Sequence, residues 1–136
     1  MVRALSDYEI KILVALCESI SGNEEIYLWL LNNGFPELAA LSSALRGSRE
    51  ANDWLLKNGF PQFSALDYAI DKDQKAYAWL MRYGYTSEAK MSDYCNGDDQ
   101  ARQWIIDNGL QILVRIADKI IDDLRKRKNN YYKIKF

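Results

Sequence analysis

Apolar positions along the chain recur in a pattern that repeats every 25 residues. Trp29, Trp54, Trp79 and Trp104 mark the interval, and Gly34, Gly59, Gly84 and Gly109 follow them five residues later. The first two units share Trp-Leu-Leu-x-Asn-Gly-Phe-Pro in full. A fixed period of this length marks stacked supersecondary units, none of which buries its own apolar face alone.

Each unit reads as two helices. Asn23, Ser48, Asp73 and Asp98 stand where a side-chain oxygen can cap free backbone amides, so a helix of about ten residues is expected after each. Ile26/Leu30/Leu31, Ala51/Leu55/Leu56, Ala76/Leu80/Met81 and Ala101/Ile105/Ile106 are expected on one side of it. The glycine predicts a left-handed stop, after which Phe35, Phe60, Tyr85 or Leu110 can fold back on the last turn. Pro36 and Pro61 suit the first turn of a second helix.

That second helix carries Leu38/Leu41/Leu45, Phe63/Leu66/Ile70 and Leu113/Ile116/Ile120 at i, i+3, i+7. In the third unit the stripe is Glu88/Met91/Cys95, so one core position is polar. Leu13, Leu16 and Ile20 fit the same register, predicting a lone helix over roughly 7–21. The expected fold is all-α: an α-solenoid, or α-α superhelix, of one N-terminal helix plus four hairpins. Its domain spans 1–124 in units of about 22–46, 47–71, 72–96 and 97–121. The last helix is expected to end near Leu124, before a tail over 125–136.

Charge separates the same two parts. The net charge of −1 divides into −7 over 1–124 and +6 over 125–136. The tail alternates cations with Tyr131, Tyr132, Ile134 and Phe136, a mix that can grip a nucleic-acid backbone and stack on bases. The last helix has an apolar stripe wider than a terminal unit should expose, so something is expected to cover it: the tail, a second copy, or a partner.

The stretch from Ser64 to Gly84, Ser-Ala-Leu-Asp-Tyr-Ala-Ile-Asp-Lys-Asp-Gln-Lys-Ala-Tyr-Ala-Trp-Leu-Met-Arg-Tyr-Gly, resembles the helix pair of an ankyrin repeat. The period of 25 in place of 33, the missing Thr-Pro-Leu-His signature and the lack of room for a β-hairpin depart from that family. The resemblance implies a module that binds other proteins, with its second helices lining a concave side.

Chemistry is sparsely provided. The chain has no histidine, which excludes His-based nucleophile pairs and the commonest general base. Cys17 and Cys95 are 78 residues apart with no CxxC, so neither a zinc site nor any other metal or cofactor is expected. They read as reduced, buried thiols. Asp98-Asp99, Asp122-Asp123 and Glu24-Glu25 read as caps, solvated faces and first-turn acids. The tryptophans read as packing between neighbouring units.

Positions that differ between units are better candidates for function. Asp67, Tyr68, Asp71, Asp93 and Tyr94 are expected to form an acidic strip on the concave side, suited to a basic protein or peptide. The expected function is a non-enzymatic interaction module, an adaptor or an inhibitory, immunity-type partner. One alternative is nucleic-acid binding by the tail, and a further one is a carboxylate-dependent hydrolase. A homodimer through the apolar C-terminal helix is a possible assembly. No leader or membrane-spanning run is read in the sequence, so the expected location is the cytoplasm.

Overall fold

The computed structural model describes residues 3–134, and side chains over 3–129. It is all-α, with no strand among the described residues. A short 3-10 turn, Leu5–Asp7, precedes α1 (Ile10–Ile20). The first helices of the hairpins are α2 (Glu24–Asn32), α4 (Arg49–Lys57), α6 (Gln74–Arg82) and α8 (Asp99–Asp107). The second helices are α3 (Pro36–Leu45), α5 (Pro61–Ile70), α7 (Thr86–Cys95) and α9 (Gln111–Ile134). Equivalent helices start 25 residues apart throughout. α9 runs on past Leu124 into the basic segment.

Two turn chemistries repeat. Asn23, Ser48, Asp73 and Asp98 each accept from a backbone amide three residues on, as their cap positions predict. At the other end, the amide of Phe35, Phe60, Tyr85 or Leu110 donates to the carbonyl of Leu30, Leu55, Leu80 or Ile105, the closure of a Schellman turn. Asn33, Asn58 and Asn108 tie the same turn down by donating to the carbonyl of the preceding Trp at 2.8 Å. Gly59 has φ +87°, a conformation that penalises a β-carbon. A second Schellman turn precedes each cap, where Gly22, Gly47 and Gly97 also have positive φ and Lys72 takes φ 70°. Gly22, at +101°, is therefore as constrained as Gly59.

α3 packs on α1 and α5, α7 packs on α5 and α9, and α9 packs back on α1. The inner helices thus form a closed circuit, with α2, α4, α6 and α8 laid around it, each against its two chain neighbours. Leu16, Leu41, Leu66, Met91 and Ile116, one from each inner helix, are all fully buried. Burial of such side chains is worth about 1.5–3 kcal/mol each. The wide stripe of α9 is explained by this closure: Leu113, Val114, Ile116 and Ile120 are buried within the chain, and α1 packs along the helix.

Glu88, the polar member of a core stripe, is fully buried and accepts from the Leu5 amide at 2.9 Å. Gln62 donates to the Arg3 carbonyl at 2.8 Å, and Tyr8 donates to Glu37 at 2.7 Å. Residues 3–8 are thereby pinned across the starts of α3, α5 and α7.

The outer helices bury less than their sequences suggest. Leu30, Leu55, Leu80 and Ile105 are fully buried, but Leu31, Leu56 and Met81 are exposed. One residue along a helix is about 100° around it, and an outer helix meets the inner layer along a single stripe. The tryptophans also differ from expectation. Trp29 and Trp54 are exposed, and each stacks on the aromatic that follows its own turn, Phe35 or Phe60, at 6.2 Å between ring centres. Trp79 stacks likewise on Tyr85 at 5.7 Å. No helix among the described residues is long and apolar enough to cross a membrane.

Candidate functional site

The five residues of the expected acidic strip fall into three separate places. Asp67, Tyr68 and Asp71 border a cavity of about 100 Å³ at the C-terminal ends of α3 and α5, which Leu124 and Arg127 of α9 also line. Asp93 lies in a depression with Tyr77 and Lys72. Tyr94 lines another with Asp99, Asp118 and Asp122. The helix period explains the dispersal. Asp67 and Asp93 are 26 residues apart, one more than the repeat, so they sit about 100° apart around equivalent helices. The register of Asp67 is that of buried Ser42 and Ser92.

Among the described residues, the apolar stripes of the inner helices pack on one another. Several strip residues are also already partnered. Ser64 donates to Asn52 Oδ1 at 2.6 Å, and Asn52 Nδ2 donates to Asp67 Oδ2 at 2.7 Å. Burial pushes the Asp67 carboxyl up to about 6, although the Asn52 hydrogen bond pulls it down; the Asp71 charge adds to the rise and the Arg127 charge opposes it. Tyr77 donates to Asp93 at 2.9 Å, and Tyr94 donates to Asp118 at 2.6 Å. Burial, together with the Asp93 hydrogen bond and charge, raises the Tyr77 hydroxyl. The Asp118 hydrogen bond raises that of Tyr94.

The basic segment begins by docking on the body. Arg127 Nη2 donates to the Leu45 carbonyl at 3.0 Å, and its Nε pairs with Asp123 at 2.9 Å. Arg46 reaches the same carboxylate at 3.7 Å.

Neither cysteine is an activated nucleophile. Burial pushes the Cys17 thiol up to about 11 and the Cys95 thiol up to about 12, so both are thiols and not thiolates at neutral pH. The buried carboxylates Glu37 and Glu88 serve Tyr8 and Leu5. Among the described residues no three Cys, Asp or Glu side chains are grouped to hold a metal ion.

The surface that sequence reasoning passed over is the outer one. Leu31, Leu56 and Met81 repeat at one position of successive outer helices and are 43, 50 and 44% exposed. The available signal is the run Ile26-Tyr27-Leu28-Trp29-Leu30-Leu31, six consecutive apolar residues, more than one buried stripe of a helix can absorb. Between α2 and α4 this surface opens into a groove of about 360 Å³, with Tyr27 and Leu31 on one wall, Trp54 and Glu50 on the other, and Ala40 and Ser43 on the floor.

No protein family, no curated protein and no solved structure matches the chain. The geometry of its own residues therefore carries the functional reading.

Proposed function

We propose that the chain is a non-enzymatic protein-interaction module that binds through the outer helices of a short α-α superhelix. Hairpins repeating at a constant offset, each outer helix against its chain neighbours, support the superhelical reading, wound until its first and last inner helices meet. One observation carries the function: an exposed apolar residue recurs at the same position of α2, α4 and α6, beside exposed tryptophans. Apolar residues exposed at repeated positions support the reading of this side as an interaction face. The binding surface moves outward from the expected concave strip because Asp67, Asp93 and Tyr94 are already engaged by neighbouring side chains.

The test is cross-linking capture from the native host, with nuclease present, comparing the parent with a Leu31→Glu/Leu56→Glu/Met81→Glu variant. All three sites are exposed, so helicity and melting are expected to change little. The variant is expected to lose the captured protein. Unchanged capture by a folded triple variant would overturn the outer-face reading.

A further inference from the structure

The three grooves between successive outer helices are built from equivalent positions, and different side chains line them. In the groove between α4 and α6, the place of Ser43 is taken by Tyr68, and that of Tyr27 by buried Asn52, which is bonded to Asp67. Between α6 and α8, Lys90 takes the place of Ala40 and its Nζ lies 5.8 Å from the centre of the Trp104 ring. There the Tyr77 hydroxyl is held by Asp93. Only the groove between α2 and α4 has a floor of small residues, Ala40 and Ser43, and the Tyr27 hydroxyl on its wall has no hydrogen-bond partner among the described residues.

Charge distinguishes the same groove. Its wall carries Glu50, and Glu24 shares a flank of α2 with Tyr27 and Leu31 at i, i+3 and i+7. The equivalent pair is Arg49 and Lys75 at the second groove and Gln74 and Gln100 at the third. At these two positions the three grooves thus carry two acids, two cations and two amides in turn, and the groove with the two acids is the one with the small floor.

We infer that the groove between α2 and α4 is a peptide-docking site for a basic segment carrying an aromatic or aliphatic anchor. The anchor would fill the space over Ala40 and Ser43 against Trp54 and Leu31. Its flanking cations would meet Glu24 and Glu50, and a polar atom of the segment would satisfy Tyr27. A cleft of about 360 Å³ accommodates one or two large side chains, in the manner of a side-chain anchor in a pocket. This inference rests on the outer-face reading and names the partner chemistry within it.

The probe is a fluorescein-labelled synthetic peptide with the sequence of residues 125–136, which has six cations, no acid, and Tyr, Ile and Phe anchors. It supplies the required chemistry without presuming the natural partner. Binding to the full chain is followed by fluorescence anisotropy, with Trp emission as a second signal. Ser43→Tyr copies the side chain that the fold already holds at position 68, so the variant is expected to fold; it should weaken binding at least about tenfold, the scale of losing one anchor. Glu50→Lys should weaken binding severalfold at low salt and less at high salt, because screening removes that contribution. A peptide with its aromatic and aliphatic residues replaced by Ser should bind no better than a basic peptide of random order.

Undiminished affinity of Ser43→Tyr, or binding lost only in Asp67→Lys/Asp93→Lys, would overturn the groove assignment. Absence of saturable binding to the parent at about 1 mM peptide would overturn the partner chemistry. Failure of this inference is separable from failure of the outer-face reading. If Leu56→Glu/Met81→Glu abolishes capture from the host while Ser43→Tyr is silent in both assays, the outer face stands and the groove falls. If Ser43→Tyr blocks the peptide while every outer-face variant captures normally, the groove stands and the wider reading falls.

Discussion

Asp67 is a carboxylate that the fold would hold more cheaply as a neutral group, and Asp67→Asn tests that directly. Its folded value is about 6 against an ordinary 3.8. Between those values the folded state binds more protons than the unfolded chain, so stability falls as pH rises through about 4 to 6. The loss is complete above about pH 6 and absent below about pH 4. Two pH units correspond to at most about 2.7 kcal/mol. Asp67 keeps some solvent contact, so screening reduces the expected penalty to about 1 kcal/mol. An asparagine can still accept from Asn52 through its own carbonyl oxygen, which preserves the Ser64–Asn52 chain. Asp67→Asn is therefore expected to be more stable than the parent by about 1 kcal/mol at pH 7.5, or about 3–5 °C in Tm. At pH 4 the two should coincide. Urea unfolding of both proteins at pH 4, 5, 6 and 7.5 measures the difference. An asparagine variant equal to or weaker than the parent at pH 7.5 would refute the reasoning. So would a gain of the same size at pH 4, which would assign it to something other than charge.

Three further outcomes follow from the packing. Trp54→Ala should cost about 1–2 kcal/mol, short of the 3–5 kcal/mol of a buried aromatic, because the ring is 37% exposed and loses mainly its stack on Phe60; thermal melting checks this. Gly22→Ala and Gly59→Ala should each cost about 1–2 kcal/mol, since both glycines have positive φ and no atom within 4 Å crowds the added carbon at Gly59 and only an arginine tip approaches it at Gly22; matched urea titrations compare the two. Glu88→Leu restores an apolar stripe but strands the Leu5 amide, at a cost of about 1–3 kcal/mol. Hydrogen exchange should then accelerate at residues 5–8 before it does in α3 or α5.

Much of the fold is legible because each repeat repeats its own evidence. Cap, glycine and a large apolar residue after it recur four times, and the helices begin where those residues place them. The width of the apolar stripe on α9 signals that something covers it, but not that α1 does. That contact joins the two ends of the described chain, and no local period encodes it. Glu88 stands out in sequence as a polar core residue, while its partner, the Leu5 amide, belongs to a short non-periodic segment. The five residues of the acidic strip are dispersed for a definite reason. In the repeat Asp67 matches Ser92 and Tyr68 matches Asp93, and that difference of one residue turns Asp67 toward Asn52 and Asp93 toward Tyr77. The three-residue apolar set of each outer helix divides in the same way, with Leu30, Leu55 and Leu80 buried and Leu31, Leu56 and Met81 exposed.

Closure changes where variation can be functional. An open stack needs polar terminal units to cover its two ends, whereas here α1 and α9 cover each other. The inner stripe must then fill a closed space, and its residues are large and apolar apart from the third unit's Cys95 and Glu88, whose carboxylate is held by the Leu5 amide. Turns and caps are equally constrained, since each unit needs its Schellman closures and its capping oxygen. The freedom left to individual units lies on the flanks of the outer helices and on the floors between them. Those are the positions that change from Glu24/Glu50 to Arg49/Lys75 and Gln74/Gln100, and from Ala40/Ser43 to Ala65/Tyr68 and Lys90/Asp93. The two sets vary together: the groove with acidic walls is the one whose floor is small and unbridged. Packing does not require that association, because each outer helix already buries its Leu or Ile on the inner layer without these residues. The proposed recognition of a basic, apolar segment gives that association a reason.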